Sequence, residues 1–185
     1  MASHNASQVS RLTPANALTT LRLVLAPVCA YLIVEARDFE AVVVFAIAIA
    51  TDFADGPIAR KRGETSPFGA LLDHGTDATF VVLGNAALAC REFVPVYFAP
   101  LIAVAFVQYA LDSKALAGQP LRASQLGRWN GIFYFVVLGT PIVRNMLGWS
   151  WPPDAWIAFM GIALALSTLV SIGDRLWALR GLTDR

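Results

Sequence analysis

Four aspartates, Asp52, Asp55, Asp73 and Asp77, stand inside runs that are otherwise strongly apolar. The first two are spaced i, i+3 and the last two i, i+4, so on helices each pair shares a face. Gly56, Ala59 and Gly69 keep the same stretch thin, and Arg60 adds a fixed positive charge. Apolar residues make up 57% of the 185-residue chain, and mean hydropathy is +0.59. A soluble globule of this size cannot hide that much apolar surface, so a polytopic membrane protein is the natural class. The whole chain, 1–185, reads as one domain, with 1–12 as a flexible N-terminus. Net charge is only +1, which implies no attraction to nucleic acid. Cys29 and Cys90 both fall in apolar runs and read as small buried residues. The polar start, Met1 to Arg11, lacks the pattern of a cleaved signal peptide.

Hydrophobic periodicity predicts an all-α fold with six spans. Thr13-Pro14 starts the first helix, whose early part lies near the membrane surface and whose apolar part runs to about Val34. The second runs from Phe39 to Arg60, with a kink expected at Pro57. The third covers Phe68 to Cys90, the fourth Val94 to Leu111, the fifth Gly127 to Ile142 and the sixth Ala155 to Ile172. A basic tail follows. Six spans put both termini on one side. Arg60, Lys61, Arg62, Lys114, Arg122, Arg128 and Arg175 then gather on the inside, against Arg37, Arg91 and Arg144 outside. This bias places termini and aspartates at the cytoplasmic face of a membrane, the inner membrane if the cell is bacterial. Trp149, Trp151 and Trp156 fit an outer aromatic belt, Trp129 and Trp177 an inner one.

An ionised Asp near a helix centre costs roughly 2.5–3.5 kcal/mol on insertion scales. One such residue is commonly a packing or ion-pathway group. Four, with small residues and an Arg in fixed order, call for bound hard cations such as Mg2+, Mn2+ or Ca2+. Two antiparallel helices would bring the pairs face to face and hold two metals, the arrangement that clamps a phosphoryl group in displacement chemistry. A divalent-cation transport path is the alternative from another class, and Arg60 argues against it.

The order Asp52-x-x-Asp55-Gly56-x-x-Ala59-Arg60, eight residues, Gly69-x-x-x-Asp73-x-x-x-Asp77 resembles the signature of the CDP-alcohol phosphatidyltransferase family at every fixed position. The resemblance implies a six-helix membrane domain, usually a homodimer, with a two-metal site (Mg2+ or Mn2+) open to the cytoplasm. It implies Asp52, Asp55 and Asp73 as metal ligands, and Asp77 as ligand and base for the acceptor hydroxyl. Gly56, Ala59, Arg60 and Gly69 would line the CDP pocket. Asn16-x-Leu18-Thr19-x-x-Arg22 is similar to the family's N-terminal segment, where the Asn approaches the CDP phosphates. Ser124-x-x-Gly127-Arg128 is similar to a segment where a basic residue meets an acceptor phosphate. These resemblances make Arg22, Ser124 and Arg128 candidate acceptor or phosphate contacts; apart from them, Arg22 reads as an interfacial snorkelling residue and Arg128 as an inside anchor.

The implied reaction moves a phosphatidyl group from a CDP-linked donor, CDP-diacylglycerol in short-chain members, to a small polar alcohol and releases CMP. The acceptor is less defined. Glycerophosphate-using members usually show Asp-Pro-x-x-Asp-Lys at the last two aspartates, where this chain has Asp73-His74-Gly75-Thr76-Asp77-Ala78. The stretch from Thr65 to Asp77 resembles instead the form found in choline and ethanolamine phosphotransferases, which join a CDP-aminoalcohol to diacylglycerol. His74 reads as a hydrogen-bonding neighbour, Asn85 and Gln108 as interhelical hydrogen bonders, and Asn130 as facing substrate.

Overall fold

The computed structural model describes residues 14–62, 67–112 and 125–183, with side chains described over 19–53, 71–111 and 125–177. These residues form six helices and no strand: α1 Pro14–Val34, α2 Asp38–Arg62, α3 Pro67–Cys90, α4 Phe98–Asp112, α5 Gln125–Met146 and α6 Asp154–Thr183. Helix α1 packs on α2 and α3, α5 on α2, α3 and α6, and α4 on α3 and α6. Phe80, Leu88, Phe98, Ile102, Leu138, Ile142 and Ile157 are fully buried between them.

Close approach of α5 depends on two glycines. A Cβ on Gly84 of α3 would lie 2.6 Å from Leu138, and one on Gly139 would lie 2.9 Å from Phe45 of α2. Phe45, Phe80 and Phe135 fill the resulting junction, with ring centroids 6.2–6.3 Å apart.

The C-termini of α1, α3 and α5 close in the same way. Each is followed by a residue with positive φ: Ala36 (55°), Glu92 (62°) and Gly148 (65°). The next amide then reaches back to the last turn: Arg37 to the Leu32 carbonyl, Phe93 to Leu88 and Trp149 to Arg144, at 2.9–3.0 Å. This is the helix stop that satisfies terminal carbonyls and favours glycine. The same end is tied by charge. Arg91 binds Asp38 at 2.7 Å, and Arg144 binds Asp154 at 2.6 Å. Both guanidiniums also lie over the Phe93 ring, at 5.0 and 5.5 Å.

Several sequence expectations shift. α4 starts at Phe98 rather than Val94, because Pro95 disfavours helical geometry at the residue before it. α6 continues to Thr183, since no proline follows Ile172 to stop it. α2 continues through Pro57 to Arg62. Cys29 is buried, whereas Cys90, at the end of α3, is exposed. Asn85 donates within its own helix to the Val81 carbonyl, at 2.8 Å, rather than between helices. By length and composition one described helix, Asp154–Trp177, can cross a membrane alone; α1 and α4 carry the shorter apolar stretches Thr19–Val34 and Phe98–Leu111. The tryptophans assigned to the two belts are all exposed.

Candidate active site

Arg22 of α1 is 1% exposed and organises the site. Its Nη1 donates to Asp77 Oδ1 at 2.6 Å and to Asp73 Oδ1 at 3.0 Å. Its Nη2 lies 3.2 Å from Asp52 Oδ1. The i, i+4 spacing on α3 aims Asp73 and Asp77 at α1, and a position just past the middle of α2 supplies Asp52. Thr76 is also within reach of Nη1, at 3.4 Å. Its own hydroxyl donates to the Asp73 carbonyl at 2.8 Å, which leaves its oxygen facing the guanidinium as an acceptor.

Oxygen atoms of Asp52, Asp73 and Asp77 all lie within 4.8 Å of one another. One guanidinium among three carboxylates leaves a surplus of two negative charges when all are ionised. The donors are hard oxygens, half-exposed to half-buried. This set fits a hard divalent cation and suits a soft one poorly.

Asp52 and Asp77, with Asp73 beside them, line a cavity of about 910 Å3 walled by α2, α3, α4, α5 and α6. Its wall mixes charged and polar side chains (Asp52, Asp77, His74, Arg128, Arg175, Gln108, Asn130 and Ser171) with apolar ones such as Phe45, Val81, Ile102 and Phe135. Arg175 sits 5.1 Å over the Tyr109 ring, and His74 meets that ring edge-on at 5.9 Å. Three lining residues, Phe53, Ile132 and Val136, are also exposed on the outside, at 76%, 56% and 43%. The cavity therefore has an apolar side rim formed by α2 and α5.

Residues 12–172 match the family described as CDP-alcohol phosphatidyltransferase. The chain belongs to this family. It is 30% identical to a protein named CDP-diacylglycerol–glycerol-3-phosphate 3-phosphatidyltransferase from Shigella flexneri serotype 5b, over 88% of this chain and 92% of that one. The protein of the same name from Escherichia coli K12 shows the same identity and coverage. A fission-yeast protein named cardiolipin synthase (CMP-forming) / mitochondrial hydrolase fusion is 31% identical, over 71% of this chain and 25% of its own length. No solved structure matches the chain significantly.

Of the CDP-alcohol phosphatidyltransferase signature, the structure brings Asp52, Asp73 and Asp77 together. Asp55, Gly56, Ala59 and Arg60 belong to α2, Gly69 to α3 and Asn16 to α1; their side chains lie outside the described residues, and Ser124 lies outside them altogether. Arg22, a candidate acceptor or phosphate contact by resemblance, is buried against the aspartates, which sets aside the bland interfacial reading. Arg128 lines the cavity, as does Asn130. Gln108 bonds between helices as expected, donating to the Ile172 carbonyl at 3.1 Å. Thr76, Tyr109 and Arg175 were not singled out by sequence. Thr76 carried a signal in lying between the paired aspartates. Arg175 follows the expected end of the sixth span, in a stretch that reads as a basic tail, and only the longer α6 brings it to the cavity.

Proposed function

We propose that the protein transfers a phosphatidyl group from CDP-diacylglycerol to a hydroxyl of a small polar alcohol, releasing CMP. The observation that carries this reading is the convergence of three carboxylates, two of which line a largely apolar cavity. Such a site serves a substrate that is charged at one end and greasy at the other. Family membership and the names of the relatives support the donor. We further read the six helices as spans of a cytoplasmic membrane. The site would then face the cytoplasm, with 1–185 as one domain and the chain paired as a homodimer. Exposed Leu23, Val28, Val104, Val107, Ile162 and Leu166 support a lipid-facing bundle.

In this reading Asp52, Asp55, Asp73 and Asp77 hold two Mg2+ or Mn2+ ions, which supply charge neutralisation on the donor pyrophosphate. Arg22 fixes Asp73 and Asp77 in register, because its Nη1 donates to both while Nη2 faces Asp52. Asn16, Gly56, Ala59, Arg60 and Gly69 contact the CDP moiety. Asp77 takes the proton of the acceptor hydroxyl. That oxygen bonds to the phosphorus carrying diacylglycerol, the bond from this phosphorus to CMP breaks, and CMP departs with the electron pair. Proton removal by a placed base contributes about 10^2- to 10^4-fold in rate. Arg128 and Arg175 give the cavity two cations suited to an anionic acceptor, with Ser124 as a further contact.

A second reading rests on the stretch from Thr65 to Asp77. Its resemblance to aminoalcohol phosphotransferases would make diacylglycerol the acceptor and a CDP-aminoalcohol the donor. A panel of labelled alcohols (glycerol phosphate, inositol phosphate, serine, ethanolamine, choline) with each donor decides between them. Mg2+- or Mn2+-dependent CMP release, lost in Asp77→Asn, is expected. Metal flux into liposomes with no CMP release from any donor would sink the enzyme reading in favour of transport.

A further inference from the structure

Tyr109 of α4 bridges two other helices at the cavity wall. The His74 ring, from α3, meets it edge-on at 81°, with centroids 5.9 Å apart. The Arg175 guanidinium, from α6, lies over its face at 5.1 Å. All three residues line the cavity. One residue back on α4, Gln108 Nε2 donates to the Ile172 carbonyl of α6 at 3.1 Å. Ile172 and Arg175 are three positions apart, so they share a face of α6. Two adjacent contacts, from 108 to 172 and from 109 to 175, therefore fasten this part of α4 to α6.

The backbone tie sets where the Arg175 side chain starts, not where its charge ends up. An arginine side chain has several free torsions and turns to water or head groups when nothing holds it. An aromatic face holds a guanidinium through the attraction between its charge and the ring quadrupole. It does so without neutralising the charge. A carboxylate in the same place would cancel that charge and compete with an anionic ligand. The Tyr109 ring is itself steadied by His74 and by Phe106, one turn earlier on α4 at 6.4 Å.

We propose that Tyr109 is a positioning residue: its ring face holds Arg175 at the cavity wall, where the guanidinium meets a phosphate oxygen of a bound substrate. The role belongs to the ring rather than to the hydroxyl, and it is exerted through Arg175. It rests on the reading given above, in which the substrates carry phosphate. The oxygen comes from the donor diphosphate or from a phosphorylated acceptor, and each source has its own arm in the test.

The test uses the full chain in mixed micelles. Tyr109→Leu removes the ring face, and Tyr109→Phe keeps it. With CDP-diacylglycerol and glycerol phosphate or inositol phosphate, Tyr109→Leu should raise one KM about tenfold and leave kcat within about twofold. A rise in the donor KM assigns the oxygen to the diphosphate, and a rise in the acceptor KM assigns it to the acceptor. Tyr109→Phe should stay within about threefold of wild type. Adding Tyr109→Leu to Arg175→Met should change nothing further, because the two losses are one. An equal loss in both backgrounds, a fall in kcat alone, or a Phe variant as weak as the Leu variant overturns the inference. A second readout needs no turnover: phenylglyoxal labelling of Arg175, followed by peptide mass spectrometry against exposed Arg37. Labelling should run at least about threefold faster in Tyr109→Leu than in wild type or Tyr109→Phe, and equal rates overturn the inference. If Tyr109→Leu does not fold, Tyr109→Met takes its place. Absence of CMP release from every donor in wild type, with the labelling difference intact, refutes the enzyme reading and leaves the hold of Tyr109 on Arg175 standing.

Discussion

Arg22 Nη1 lies 2.6 Å from Asp77 Oδ1, which joins α1 to α3 inside the cluster of aspartates. The same guanidinium reaches Asp52 and Asp73. It is thus a built-in counter-charge that holds three acids together from two other helices.

Removing it should expose their mutual repulsion. Arg22→Met is expected to cost about 2 kcal/mol, less than loss of a partner in a fully buried pair, because the carboxylates stay partly solvated. Arg22→Lys should recover little, since an ammonium cannot span three carboxylates as a fork does. Thermal unfolding in detergent measures this. Added Mg2+ should raise the melting temperature of Arg22→Met more than that of wild type, because a cation would take over the missing neutralisation. Equal shifts would contradict the arrangement.

Chelation should abolish CMP release in the proposed reaction. Mg2+ or Mn2+ should restore it, and Zn2+ should restore much less, as expected for a donor set made only of carboxylate oxygen. An activity assay after dialysis against EDTA, with each metal added back, checks the order.

Gly139→Ala should destabilise by about 1–3 kcal/mol. The new methyl would meet the Phe45 ring at 2.9–3.1 Å, and that ring is already packed with Phe80 and Phe135. Phe45 also lines the cavity, so the KM for the lipid donor should rise in the same variant. Calorimetry and initial-rate kinetics give the two readouts.

Ala36→Gly and Glu92→Gly should each stabilise by about 1 kcal/mol, because an L side chain is strained at their positive φ values. Neither residue lines the cavity, so activity should stay level while the melting temperature rises.

The helices were legible because their apolar runs are long and punctuated by charge, and five of the six both begin and end within a few residues of expectation. α6 ran past its expected end because a basic, mixed sequence reads as tail whether or not the helix continues. The aspartates could be read from spacing. Arg22 could not be placed from residue type alone, since a lone Arg near a span suits an interface as well as a buried ion pair. Its spatial partners come from α2 and α3, 30 to 55 positions along the chain. Phe93 shows the same limit. Its stacking under Arg91 and Arg144 joins residues more than 50 positions apart.

The side rim of Phe53, Ile132 and Val136 bears on where turnover takes place. Pulling an acyl chain into water costs about 0.8 kcal/mol per CH2, so two sixteen-carbon chains would need on the order of 25 kcal/mol. A cavity that opens sideways onto an oily phase lets the tails remain there while only the head group changes. In the proposed reaction the catalytic cycle is then separated from lipid desorption. Throughput depends on two-dimensional diffusion to the rim and on soluble alcohol arriving at the aspartates.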